Sequence, residues 1–328
     1  MTLLILSTII LTLLFDFLNG FHDAANAIAT VISTRVLKPF HAVAWSAGFN
    51  FLAILVFGMG VAKTVGTGIV DPQYIEPAGI FCAMMAAIIW NLLTWYYGLP
   101  SSSSHALIGG LVGVGLYRGG LTALHFGGIS KIVVSIALSP AIGMTLAMLL
   151  MMFVLSLLQN AHPTPVDRWF RRIQLVTSAL LSLTHGGNDA QKSMGVIALL
   201  LFTAKLIPEF YIPLWVSVSC YLMISLGTLF GGFRIIHTMG MKITKLKPVG
   251  GACAEISSAF TLFLATHFGI PVSTTHTITG AIVGVGALQR ASAVRWGVAR
   301  RILWAWVFTI PMTMLLAVGM MAIASLFK

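Results

Sequence analysis

Of 328 residues, 58% are hydrophobic and only 8% charged, against roughly 25% charged in soluble domains, so a soluble enzyme of this length is excluded and lipid is the natural solvent for most of the chain. The net charge of +11 does not read as a nucleic-acid footprint, because the basic residues sit in short loops between apolar runs instead of forming a stripe. Cys82, Cys220 and Cys253 are odd in number, lie in apolar segments and lack CxxC spacing, which points to buried thiols and away from a disulfide framework or zinc site.

The N-terminal run MTLLILSTIILTLLFDFLNG lacks the basic start and small-residue cleavage site of a signal peptide, and it is expected to remain as a membrane segment. In chain order the segments are 3–34, broken at GFHDAANA (20–27); 41–62; two joined at a Gly-X-Pro turn over about 77–118; and 131–158. After the polar stretch 159–172 the plan repeats as 173–205, broken at GGNDAQKS (186–193), then 211–233, a second Gly-X-Pro pair over 249–288, and 302–327. The repeat is visible residue by residue. Asp23 falls on Asp189 and Asn26 on Lys192, while GLPSSSSHALIGGLVGVGL (98–116) aligns without gaps on GIPVSTTHTITGAIVGVGA (269–287) with nine of nineteen positions identical.

The chain therefore reads as an all-α integral membrane protein of about ten apolar segments. It is divided into two inverted-topology repeats, 1–158 and 173–328, with broken helices, Pro-turn helical hairpins and a cytoplasmic joint at 159–172. Inversion follows from an odd number of crossings per half. With the joint on one side, that side holds thirteen Lys and Arg and the other five, Lys63, Arg118, Lys131, Lys205 and Lys328, which makes the joint cytoplasmic and puts both termini outside. The expected location is the cell (inner or plasma) membrane.

Asp16, Asp23, Asp189 and Glu255 fall inside apolar segments, where a carboxylate costs a few kcal/mol and must face a cavity, a cation or a partner. Asp23 and Asp189 recur at matched positions of what reads as a split helix, where loose carbonyls would complete a cation site; Asp16 has no acidic counterpart and reads as structural. Ser101, Ser102, Ser103 and Ser104, and Ser273, Thr274 and Thr275, follow proline and open Gly-rich helices. Such hydroxyls cap a first turn, yet two helix N-termini brought together also suit a tetrahedral anion. For His105 and His276, just inside these helices, ligand binding, proton shuttling and plain packing stay open. The glycines at 109, 110, 113, 115, 280, 284 and 286 mark close helix packing.

NGFHDAANA and HGGNDAQKSMG, with GLPSSSSHALIGG and GIPVSTTHTITGA, resemble the inorganic phosphate transporter (PiT) family over nearly the whole chain. The family's Gly-Ala-Asn-Asp signature is kept by Gly187-Asn188-Asp189 with Lys192, whereas Phe21-His22-Asp23 departs from it. The resemblance implies import of inorganic phosphate by symport with sodium or protons, by alternating access and with no cofactor. It implies cation-binding roles for Asp23, Asp189, Asn188, Asn50 (in GFNFLAI) and Glu255 (in ACAEISSA), with Asp23 and Asp189 as sodium ligands if sodium is the ion. Ser101 to Ser104, Ser273, Thr274, Thr275, Asn26 and Lys192 are then expected at phosphate.

The expected partners are phosphate, a coupling cation and the bilayer, without nucleic acid; a homodimer stays open. A sulfate symporter is the nearest rival. An intramembrane lipid-phosphate phosphatase is disfavoured, since neither a metal-binding cluster nor a Ser-base pair is readable, and a primary pump because no GxxxxGK[ST] loop occurs.

Overall fold

The computed structural model describes residues 2–326, so Lys328 of the charge count lies outside the described residues. The described residues form twelve α-helices, joined by short 3-10 and π turns and irregular loops, with no β-strand among them. Backbone groups in hydrocarbon have no water to bond, and a helix satisfies them within one segment. Six helices are long and apolar enough to cross a membrane, and two bent pairs raise the number to as many as eight. The chain is a multi-pass, all-helical membrane protein.

Two long helices organise it. Helix α1 (Thr2–Ser33) and helix α7 (Pro163–Thr203) pack against each other. Both run unbroken through the Asp motifs, which corrects the expected interruptions at 20–27 and 186–193. Their glycines serve a different purpose. A Cβ on Gly20 would lie 2.0 Å from the Ile224 carbonyl oxygen, and one on Gly186 would lie 2.6 Å from that of Asn50, so each glycine lets another backbone approach at the depth of its Asp. Helix α7 also begins inside the polar stretch, leaving only residues 158–162 outside the helices there.

The second segment of each half, expected as one helix over 41–62 and 211–233, is instead bent. Helices α2 (Pro39–Leu52) and α3 (Gly60–Thr67) meet at 84°, and α8 (Leu214–Phe230) and α9 (Phe233–His237) at 63°. Gly231, with φ at +59°, supplies the left-handed residue that the second bend requires.

The Gly-X-Pro hairpins form as expected, from α4 (Pro77–Tyr96) to α5 (Ser103–Gly119) and from α10 (Pro248–His267) to α11 (Thr274–Gln289). Both turns use one device. Gly98 and Gly269 have φ of +62° and +66°, and Gly98 N–H to Trp95 O with Leu99 N–H to Thr94 O is matched by Gly269 to Thr266 and Ile270 to Ala265. This closing pattern ends a helix on a left-handed residue. Proline follows, and Ser102 and Ser273 then cap the return helices by accepting from the His105 and His276 N–H groups at 3.2 Å.

The last helices, α6 (Phe126–Leu157) and α12 (Trp296–Ser325), carry Pro140 and Pro311 and expose large apolar side chains such as Leu149, Phe153, Leu303 and Phe308. They cross over between the sequence halves: α5 packs on α12, and α11 on α6. Glycine makes both contacts close, since a Cβ on Gly109 would lie 2.1 Å from Thr313 Oγ1 and one on Gly280 would lie 2.2 Å from the Pro140 carbonyl oxygen.

Candidate functional site

The two Asp motifs and the two hairpin turns converge in the interior. Asp23, Asn26, Asp189, Lys192, Ser101 to Ser104 and Ser273 to Thr275 are each no more than 2% exposed. Within each sequence half the hydroxyl after the cap reaches the motif carboxylate: Ser103 Oγ lies 2.7 Å from Asp23 Oδ2, and Thr274 Oγ1 3.3 Å from Asp189 Oδ2. Between halves the matched contacts cross. Lys192 Nζ donates to Ser104 Oγ at 2.5 Å, and Asn26 Nδ2 donates to Thr275 and Thr274 hydroxyls at 3.0 Å.

Charge is distributed unevenly between the two carboxylates. Lys192 places its three protons on Asp189 Oδ1 at 2.5 Å, Ser104 and the Val272 carbonyl at 3.0 Å, so the ammonium is fully bonded. Among the described residues, no Lys or Arg pairs with Asp23. Its Oδ1 lies 2.7 Å from His22 Nδ1, whose Nε2 lies 3.3 Å from Thr94 Oγ1, and Ser101 donates to that same hydroxyl at 2.8 Å. Thus Ser101 reaches the motif only through a chain of side chains, and Ser102 and Ser273 act as helix caps.

Asp23, His185 and Asp189 bring ligand atoms within 4.8 Å of one another. His185 Nε2 lies 3.3 Å from Asp189 Oδ2, and its Nδ1 lies 3.2 Å from Asn50 Oδ1. Asn50 therefore joins the cluster through His185. Asn188 donates to Thr266 at 2.9 Å, and its Oδ1, like that of Asn26, has no hydrogen-bond partner among the described residues. Asp23 and Asp189, whose carboxylate oxygens fall in one buried cluster, are hard oxygen ligands suited to a hard cation.

Glu255 is elsewhere. It accepts from Thr30 at 2.6 Å, from Gln174 at 3.0 Å and from Thr177, a cage of neutral donors one turn beyond Asn26 along α1. His105 and His276 meet edge to face at 4.7 Å, and His276 stacks on Trp306 at 3.7 Å.

Asn19 and His185 are contributors that the sequence reading missed. Asn19 Oδ1 lies 2.6 Å from Ser103 Oγ. Both residues stand one turn before the motif Asp and match each other when the repeat is extended by one residue. The wider signal is a stripe: Thr8, Thr12, Asp16, Asn19, Asp23, Asn26 and Thr30 are all buried on α1, three or four residues apart, which is one helical face.

The model of the Phosphate transporter family matches residues 19–317. The chain is 57% identical over 315 residues to a probable low-affinity inorganic phosphate transporter of Rhizobium meliloti, covering 96% of this chain and 94% of that one. It is 46% identical over 319 residues to one of Bacillus subtilis, covering 95% and 96%. Among solved structures it superimposes on a protein described as the sodium-dependent phosphate transporter with a TM-score of 0.90, 25% identity and full coverage of both chains. With the family model spanning the buried motifs and both hairpins, this chain belongs to the phosphate transporter family.

Proposed function

We propose that the protein imports inorganic phosphate by symport with a cation, through alternating access of a single site between two inverted repeats, 1–158 and 173–328, in the cell membrane with both termini outside. The observation that carries this reading is that the expected anion donors are already bonded to the expected cation ligands. Ser103 has one proton and stands between Asn19 and Asp23; Thr274 stands against Asp189 in the same way.

A phosphate held by Ser103, Ser104, Thr274, Thr275, Asn26 and Lys192 draws those donors away from the two carboxylates. Asp23 and Asp189 then need replacement partners, because an unpaired buried charge costs several kcal/mol. Cations supply them. Binding of the anion and of the cations is thus linked through shared donors, and neither is favourable alone. The solved structure's description as sodium-dependent supports a coupling cation, and the crossed packing of α5 on α12 and α11 on α6 supports a paired-repeat architecture.

The test is uptake of labelled phosphate into proteoliposomes with sodium and proton gradients imposed separately. Accumulation driven by either gradient supports the reading, and uptake indifferent to both overturns symport. Excess sulfate is expected to leave phosphate uptake intact; strong competition would widen the substrate class to tetrahedral oxyanions.

A further inference from the structure

Asp16 is a buried carboxyl that the scheme above does not use. It lies seven residues before Asp23 on α1, about 10 Å along the helix axis at 1.5 Å per residue, and it is completely buried. Ser193 Oγ donates to its Oδ1 at 2.9 Å and the Cys220 thiol is a weak donor within reach of the carboxyl, while Oδ2 has no nitrogen or oxygen donor among the described residues. The repeat-matched residue on α7 is Ser182, so this carboxyl belongs to one half only.

Among the described residues, no cation forms an ion pair with Asp16. The ionisable groups within electrostatic reach are Asp189 and Lys192 on α7 and Cys220 on α8, with Tyr221 of α8 also near; Asp23 lies further along α1. Lys192 is committed to Asp189, Ser104 and the Val272 carbonyl. A bare carboxylate in such a place is costly, and a proton neutralises it with the least rearrangement. A hard metal cation fits poorly: the group beside Asp16 on α8 is the thiol of Cys220, and sulfur is a soft ligand. The buried hydroxyl of Tyr221, which has no hydrogen-bond partner among the described residues, is a neutral group suited to relaying a proton.

Position completes the case. Asp16 sits in the buried polar stripe of α1, between Thr8 and Thr12 on the N-terminal side and Asn19 and Asp23 on the other. We infer that Asp16 is a proton-binding residue in its own right, loading a proton on Oδ2 from one side of the membrane and releasing it to the other in each cycle, beside the Asp23–Asp189 pair and separate from it. No bond other than the O–H bond is made or broken.

This inference rests on the phosphate-transport reading, and the experiment separates the two. In proteoliposomes, labelled phosphate and internal pH are followed together for the wild type and for Asp16→Asn. The variant is expected to move one fewer proton per phosphate than the wild type, a difference from which phosphate's own titration cancels and which a general loss of active protein does not alter. An unchanged ratio overturns the assignment. So does a wild-type uptake that requires sodium and carries no protons beyond those on phosphate. Failure of wild-type phosphate counterflow would instead overturn the transport reading. Should Asp16→Asn not fold, Ser193→Ala removes the donor to Oδ1 and keeps the carboxyl; it is expected to move the pH midpoint of uptake, and an unmoved midpoint counts against Asp16.

Discussion

Lys192 donates to Ser104 at 2.5 Å, and the equivalent pair, Asn26 and Thr275, meets at 3.0 Å; each bond ties a motif helix of one sequence half to the hairpin turn of the other. One bond is charged and its twin is neutral. The site thus has two-fold connectivity with a single fixed positive charge, which belongs to the Asp189 side.

That asymmetry makes the first prediction. Lys192→Met leaves Asp189 buried without its cation, and breaking a buried pair from one side costs about 3–5 kcal/mol. Adding Asp189→Asn removes the stranded charge and should recover much of that loss. Thermal denaturation of the two single variants and the double variant in detergent measures the coupling; additive effects would show that the ammonium and the carboxylate do not depend on each other.

A second prediction separates caps from ligands. Ser102 and Ser273 accept from backbone N–H groups, so Ala in their place should lower stability by about 1 kcal/mol and leave the half-saturating phosphate concentration alone. Ser103→Ala or Thr274→Val should raise that concentration about tenfold or more, because a hydrogen bond to a charged ligand contributes about 1.5–3 kcal/mol. Uptake kinetics across the four variants decide. Equal shifts at caps and neighbours would remove the distinction.

The repeat made much of this legible from sequence, and its limits are physical. Alignment of 98–116 on 269–287 located the two hairpin turns, and their Gly98 and Gly269 hydrogen-bond patterns are the same. Alignment reports equivalence and not contact, so it could not show that Lys192 reaches the turn of the other half, or that α6 and α12 are exchanged. The expected breaks at the Asp motifs failed for a different reason. Glycine weakens an isolated helix, but in lipid-depth packing Gly20 and Gly186 are held helical by the neighbouring backbones of α8 and α2 that press on them. The true bends, near Gly60 and at Gly231, lie where the sequence reading ran single segments through. The buried polar stripe of α1 was present as spacing in the sequence; attention to the acidic residues alone passed over Asn19.

Orientation is testable on a single helix. Helix α7 has 41 residues, about 60 Å at 1.5 Å per residue, so in the proposed topology, where it crosses the bilayer, its two ends emerge on opposite sides. Asp167 and Glu209 are exposed just inside its start and beyond its end, and the native cysteines are buried. In intact cells, Glu209→Cys should react with an impermeant thiol reagent and Asp167→Cys should be protected. The reverse pattern would invert the topology inferred from the basic residues.

The last prediction concerns the direction of charge movement. Phosphate near neutral pH carries one or two negative charges, and an inside-negative potential opposes its entry by roughly 2.3 kcal/mol per charge per 100 mV. Concentrative uptake therefore requires accompanying cations. The site offers two carboxylates, of which Asp189 is matched by Lys192 and Asp23 is not. Asp23→Asn removes the carboxylate that no fixed charge balances, so it should abolish accumulation against a gradient and weaken cation dependence while phosphate binding stays detectable. Asp189→Asn strands the ammonium beside the anion site. It should therefore bind phosphate more tightly and release it more slowly, losing turnover more than affinity. If two monovalent cations accompany monovalent phosphate, each cycle carries net positive charge inward, and a potassium diffusion potential, inside negative, should accelerate the initial rate in wild-type proteoliposomes. Initial rates that ignore the imposed potential, together with continued accumulation by Asp23→Asn, would show that the two carboxylates do not carry the coupling.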